Sequence, residues 1–383
     1  MLRVEEVTDV RALSDHEAEW SMLAAEGIGA DFFQTPEWVM AWLGCFWQDK
    51  PIAFLFVRDG QSLVGLAPLL RDDAGALSCS SSLAFPVNPH AKRADFLHTV
   101  DRRALLKTVF EYLLQTRGSI RLALSHERTK AEDLATMQLA AQDQRLAVLV
   151  RDDGASPIIR VNGDWDDYLR SRSSHFRREQ ARKCKKLEGA WSVRWTTART
   201  AKEWERAMTD VLVIERNSWK DRAGTSFLTE DGVASFYSNL ARRCASRQWL
   251  RLHLLYLDDR PVAHIYGLVY KGEFYAVKTT YDEAYRSWSP GLVLFQYVIR
   301  QALQDGVRVF DLLGEESRWK REIANDARQY AHLCVYSTMQ GRCDWCALRE
   351  NTLKPFLRTN APQAVELVKK ARRSLPILSR IAS

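Results

Sequence analysis

An α/β chain of the α+β kind, with two similar halves built on mostly antiparallel mixed sheets flanked by helices, is predicted by three observations. The chain has 383 residues, more than one hydrophobic core usually serves, so two domains are expected. A hydrophobic share of 46% and an aromatic share of 10% belong to a packed globular protein. The order hairpin, strand, helix, glycine, strand occurs twice along the chain.

The second half carries the clearest elements. Trp249–Leu257, Pro261–Tyr270 and Phe274–Tyr281 alternate with the turns Asp258-Asp259 and Lys271-Gly272, so three antiparallel strands are expected. The period then changes: Leu292, Phe295, Val298, Ile299 and Leu303 share one helical face, and Gly306 stops the helix. Val307–Leu313 is short, apolar and β-branched and reads as a buried strand. A charged helix over Glu315–Asn325 and a strand at Ala331–Ser337 follow. Upstream, helices are expected over Asp164–Arg170 and Ser174–Leu187, then a strand over Trp191–Thr196, then a helix opened by the capping box Thr200–Glu203. The first half repeats this order. Strands Ile52–Val57 and Ser62–Leu70 flank the turn at Arg58-Asp59-Gly60, and a strand at Ala76–Leu83 precedes a helix over Arg103–Thr116, Gly118 and a strand at Ser119–Leu124. Val150–Pro157, with its Asp, Gly and Pro, reads as a linker, giving domains at 1–155 and 156–345 and a helical tail at 346–383.

The composition excludes several classes. No apolar run reaches the roughly 18 residues of a transmembrane helix, and Glu5 and Glu6 stand where a signal peptide needs an apolar core. A cytoplasmic protein is the expectation. Seven cysteines, an odd number in a long chain, argue against a disulfide framework. Cys343 and Cys346 lack the second pair or the histidines of a closed zinc site, and no metal is expected. The net charge of +7, with both signs interspersed, suits an anionic small ligand such as a nucleotide cofactor and does not demand a nucleic acid.

Tyr281–Leu292 joins a strand to an amphipathic helix. Small side chains at Ser289 and Gly291 let a ligand approach the backbone, the N–H groups of the helix start face it, and Arg286 adds a positive charge. A pyrophosphate suits such a place. The run Arg286-Ser-Trp-Ser289-Pro-Gly291 resembles the coenzyme A signature of the GNAT superfamily, Q/R-x-x-G-x-G/A, with Ser289 in the place of the first glycine. Ser173 to Tyr336 resembles the CelD-like bacterial branch of that superfamily. The matching pieces are the basic helix from Ser174 to Arg182, the hairpin Asp258 to Gly267, the Ser289-Pro-Gly291 loop, and Phe310 to Lys320, where Trp319-Lys320 replaces the usual Tyr-Lys. The first half matches in element order only.

This resemblance implies two GNAT-like domains, the first degenerate, and transfer of an acetyl or longer group from an acyl-CoA to an amine. It also implies kinship with the tandem-GNAT FemABX transferases. Arg286, Ser289, Gly291 and Leu292 would hold the cofactor. A saccharide amine in exopolysaccharide biosynthesis is the implied acceptor. Aminoacyl-tRNA as donor, or a non-catalytic scaffold in a polysaccharide assembly, are the alternatives.

For catalysis, His264 is the leading base, because an ordinary histidine titrates near neutrality; a hydrogen-bonded core histidine is the competing reading. Tyr281 and Asp282 end the strand beside the loop, where acid–base work belongs, although turn formation and packing explain them too. Asp311 and Glu315 flank a strand end and could orient an amine, or Glu315 could simply favour a helix N-terminus; Lys320 could pair with a phosphate or with one of these acids, or lie on a solvated helix face. Arg177 heads a basic run with Arg178, Arg182, Lys183, Lys185 and Lys186, which reads as a solvated face or as a docking surface for a phosphorylated acceptor, a lipid surface or tRNA. Lys369, Lys370, Arg372 and Arg373, among apolar residues of the tail, allow peripheral membrane contact.

Overall fold

The computed structural model describes residues 1–72, 82–88, 90, 93–128, 131–222, 224, 226, 232–314 and 316–337. The expected tail, the cysteine pair, Glu315 and most of Ala76–Leu83 lie outside them. The strands of the first half are β1 (Leu2–Val7), β2 (Ile52–Asp59), β3 (Ser62–Asp72), β4 (Ser82–Ala84), β5 (Leu97–His98), β6 (Arg121–Arg128) and β7 (Leu146–Arg160). Its helices are α1 (Glu17–Glu26), α2 (Pro36–Phe46), α3 (Arg102–Arg117) and α4 (Ala131–Asp143). The second half opens with α5 (Trp165–Arg170), α6 (Ser174–Glu188), β8 (Val193–Ala198), α7 (Ala201–Arg216), α8 (Trp219–Arg222) and α9 (Val233–Ser246). It continues with β9 (Leu250–Leu257), β10 (Arg260–Tyr270), β11 (Glu273–Tyr281), α10 (Pro290–Gln304), β12 (Val309–Asp311), α11 (Arg318–Ile323) and β13 (Asp326–Ser337).

The described strands form one mixed sheet in the order β1-β2-β3-β4-β6-β13-β7-β12-β11-β10-β9-β8, with β5 beside β3. The repeat expected from element order is visible here. In each half a strand pairs antiparallel with the first arm of a hairpin (β1 on β2, β8 on β9), and a helix crosses over to a parallel strand (β4 to β6 through α3, β11 to β12 through α10). The last strands are exchanged. β7 ends the first half in sequence but pairs with β12, and β13 ends the second half but pairs with β6. β7 and β13 then pair with each other along most of their length and close the two halves into one sheet.

The expected linker is therefore corrected. Val150–Pro157 lies inside the 15-residue strand β7, with β13 hydrogen-bonded along it. Gly154 has φ of +82°, and the pairing slips beside it, so the Asp-Gly signal marks an irregularity within a strand rather than a break between domains. Packing joins the halves as well. Trp20, Trp38 and Phe54 of the first half and Trp204, Phe236 and Tyr266 of the second share one hydrophobic cluster. Separate clusters lie under α3 and α4 and around α10.

At the junction, Asp311 is fully buried and engaged by Arg93 from the first half, by Arg328 Nη1 at 2.9 Å and by the Ser156 hydroxyl at 3.0 Å. Arg328 also reaches Glu273 at 2.5 Å, and Arg93 lies against the rings of Phe33, Tyr275 and Tyr330. Burial opposes ionisation of Asp311, but the two guanidiniums outweigh it and hold its carboxyl below the usual range. Asp311→Ala removes the carboxylate shared by two buried cations and leaves Arg328 with Glu273 and Arg93 with Asp31 at 3.4 Å, so it is expected to lower unfolding free energy by up to about 3–5 kcal/mol. Denaturant unfolding measures this; a loss below about 1 kcal/mol would assign the network no structural weight.

Candidate functional site

β12 pairs with β11 only over Glu273–Tyr275. The chain then turns away, because Leu313 and Gly314 both adopt positive φ, at +46° and +67°. Asp311 Oδ1 accepts the Leu313 N–H at 2.9 Å, and the Lys320 ammonium donates to the Leu313 carbonyl, so this bend is held from both sides. From Ala276 to Tyr281, β11 consequently has no described strand on that flank. A cleft of about 800 Å³ opens between this part of β11 and the segment from Leu312 to Lys320. His264, Tyr281, Arg286, Ser289, Gly291, Leu292 and Lys320, each singled out from the sequence, line it together.

His264 sits on β10 opposite Thr280 of β11 and is almost fully buried. Its Nε2 lies 2.9 Å from Glu215 Oε1, a carboxylate on α7 that is also fully buried. Burial resists the charge on Glu215, but the His264 hydrogen bond, Lys220 and Ser226 bring its carboxyl down to about 2. Burial lowers the His264 pKa below 6.5, against the pull of Glu215. An ionised carboxylate beside a neutral imidazole requires the imidazole to donate Nε2–H, which leaves the lone pair on Nδ1.

Helix α10 begins at Ser289-Pro290, with Pro290 in its first turn and no side-chain cap. Ser289 itself is left-handed, at φ +54°. A glycine would take this conformation without strain; serine holds it at a cost on the order of 1 kcal/mol. Gly291 has ordinary φ, and a β-carbon added to it would stand 3.4 Å from Tyr281 Cδ1, at van der Waals contact. The loop is fastened to the basic helix α6: the Lys186 ammonium donates to the Ser287 carbonyl at 3.0 Å and lies 4.7 Å from the Trp288 ring centroid.

Other expected residues take different places. Asp282 does not line the cleft. It caps the short helix Glu283–Trp288, accepting the Ala284 N–H at 2.9 Å, and accepts Asn217 Nδ2 at 3.0 Å. Asp311 is fully buried in the ion-pair network, outside the lining of the cleft, and holds the bend through the Leu313 N–H. Arg177 is exposed, lies outside the lining of the cleft, and donates to the carbonyls of Leu169 and Arg172 at the end of α5. Glu315 lies outside the described residues.

The structure also brings in residues that sequence reasoning missed. Lys220 of α8 donates to the Thr279 carbonyl at 2.5 Å, on the uncovered flank of β11. Burial and the charges of Lys278 and Lys320 lower its amine to about 8, despite Glu215. Lys278, Tyr237 and His90 complete the same cleft, His90 coming from the first half. Only Glu215 left a signal in the sequence: it is an acid on the apolar face of α7, beside Val211 and Ile214.

Residues 174–321 match the family model described as an acetyltransferase (GNAT) domain. This stretch of the second half is therefore similar to GNAT acetyltransferase domains. Fold likeness extends over almost the whole chain. It is similar to the structure of FemX (11% identical, covering 87% of this chain and 96% of that one, TM-score 0.59). It is also similar to a conserved protein of unknown function from Bacteroides thetaiotaomicron VPI-5482 (9% identical, 88% and 99% covered, TM-score 0.53). The DUF2156 domain of an Agrobacterium fabrum protein assigned as a lysylphosphatidylglycerol synthetase is a third neighbour (12% identical, 89% and 96% covered, TM-score 0.53). At these identities the likeness is one of fold. No curated protein matches the chain. No helix among the described residues is long and apolar enough to cross a membrane.

Proposed function

We propose that this protein transfers an acetyl or longer acyl group from an acyl-CoA to an amine. The observation that carries this reading is the convergence, in one cleft, of the loop Arg286–Gly291 and the Glu215–His264 pair. In this scheme Arg286 and the start of α10 hold the pyrophosphate. The acceptor amine attacks the thioester carbon and gives its proton to His264 Nδ1, while Nε2–H stays on Glu215. A backbone N–H on the uncovered flank of β11 meets the developing oxyanion. The C–S bond breaks, and the departing thiolate takes a proton, with Tyr281 at the strand end as donor. An amino sugar in exopolysaccharide synthesis is the acceptor that the sequence resemblance supplies, in the cytoplasm. Calorimetry with acetyl-CoA, longer acyl-CoAs and free coenzyme A tests the donor: micromolar binding of an acyl-CoA is expected, and none would sink the reading.

A second reading, with aminoacyl-tRNA as donor, is favoured by one observation. Arg178, Arg182 and Lys185 are exposed on α6, the helix fastened to the cofactor loop. Charged tRNA that binds where acyl-CoA does not would select it.

A further inference from the structure

We propose that the end of the cleft between Lys220 and Lys278 is a subsite for an anionic group, carboxylate or phosphate, carried by the acceptor on the same molecule as its amine. This rests on the acyl-transfer reading above and deepens it.

Three observations support the subsite. First, the described lining of the cleft contains Lys220, Lys278, Arg286, Arg318 and Lys320 and no carboxylate. Arg286 belongs to the loop before α10 and is accounted for by the donor. Lys278 lies elsewhere, its ammonium 5.6 Å from the Tyr237 ring centroid, and the Tyr237 hydroxyl is 3.1 Å from His90 Nδ1. β11, α9 and the first half therefore build this end jointly.

Second, the strand register sets a spacing. His264 pairs with Thr280 and Tyr266 with Lys278. Lys278 is thus two residues along β11 from Thr280, on the same face and about 7 Å away. An amine presented to His264 places a substituent of its own molecule next to Lys278.

Third, like charges are crowded together. The groups acting on the Lys220 ammonium are Lys278 from β11, Lys320 from α11 and Glu215 from α7, with Glu215 itself engaged by His264 of β10. Burial is the largest cause that brings the Lys220 amine down to about 8, and the two lysines add to it and outweigh Glu215. An anion seated among these lysines offsets their repulsion and raises that pKa, so its binding at pH 8 must draw a proton from solution.

The test is calorimetry of the donor-free protein with matched amines: glucosamine 6-phosphate against glucosamine, and 5-aminovalerate against pentylamine. The anionic member of at least one pair is expected to bind about tenfold or more tightly. The pair that shows the preference identifies the group as phosphate or carboxylate. Lys278→Met should abolish the preference and Lys278→Arg retain it, with free coenzyme A affinity unchanged in both. Repeating the titration at pH 8 in buffers of different ionisation enthalpy should show uptake of up to about half a proton, lost in Lys220→Met. Equal binding of charged and neutral amines, or no binding of either anionic amine, overturns the subsite. Loss of coenzyme A affinity in Lys278→Met also overturns it, by making Lys278 part of the donor site. If wild type binds no acyl-CoA but keeps the preference for anionic amines, the donor reading fails and the subsite stands.

Discussion

His264→Ala is expected to lower turnover about 10²–10⁴-fold, the usual effect of losing a general base. Acyl-CoA affinity should stay within about twofold, because an interaction made only during proton transfer lowers turnover and leaves ground-state binding alone. The geometry motivates the size of the effect. His264 is almost fully buried, lines the cleft, and has its Nε2 side committed to Glu215, so Nδ1 is the basic nitrogen. The pH dependence has a definite sign. The base works as neutral imidazole, and burial lowers its pKa below 6.5. Wild-type turnover should therefore hold through pH 6.5 and fall only on further acidification, and that acid limb should vanish in His264→Ala. Stability follows the same direction: a histidine with a depressed folded pKa contributes stability above the unfolded value, and loses it as pH falls through the folded one. Since the alanine variant removes a hydrogen bond to a buried carboxylate, His264→Gln is the companion. Its amide donates to Glu215 and cannot act as a base, and it should show a comparable loss of rate in a folded protein. Wild-type turnover with an unchanged acid limb in both variants would reduce His264 to a core residue.

Gly291→Trp is expected to abolish acyl-CoA binding, a loss of at least about 10²-fold in affinity, while the protein remains folded. Gly291 lies in the first turn of α10 with an ordinary φ, so the backbone accepts any side chain. Its β-carbon would stand 3.4 Å from Tyr281 at the cleft wall, which leaves room for one methyl group. Gly291→Ala should accordingly bind near wild type, whereas the indole fills the space beside Arg286 and Ser289. The pair of variants separates loss of space from loss of helix. Calorimetry reads the affinity and circular dichroism the fold, and a folded tryptophan variant with normal binding would move the cofactor away from this loop.

Much of the second half was legible in the sequence because its signals are local. The three strands of the hairpin region and the helix after Pro290 were bounded by Gly, Asp and Pro turns and by a clean change of period. The capping box at Thr200 formed as read, with Glu203 returning to the Thr200 N–H at 3.0 Å. Asp282 and Asp311 take places away from the cleft lining for a common reason. A carboxylate near a strand end marks catalysis, capping or a buried ion pair equally well, and the partners that decide, Ala284 and Asn217 for Asp282 and Arg93 and Arg328 for Asp311, are not encoded in spacing.

Chain order and residue type by themselves determined the α+β class, the repeated element order, the anion-suited loop at Arg286–Gly291 and its GNAT resemblance. Each of these depends on residues within a few positions of one another, where steric and hydrogen-bond preferences act directly. Only the tertiary structure decided that β7 and β13 change places, turning the supposed linker into the central seam of one sheet. Only it brought Glu215 to His264, 49 residues apart, and set Lys220, Lys278 and His90 around the same cleft. Strand exchange and buried charge pairing are settled by which distant surfaces exclude water from one another, and no local pattern along the chain carries that information.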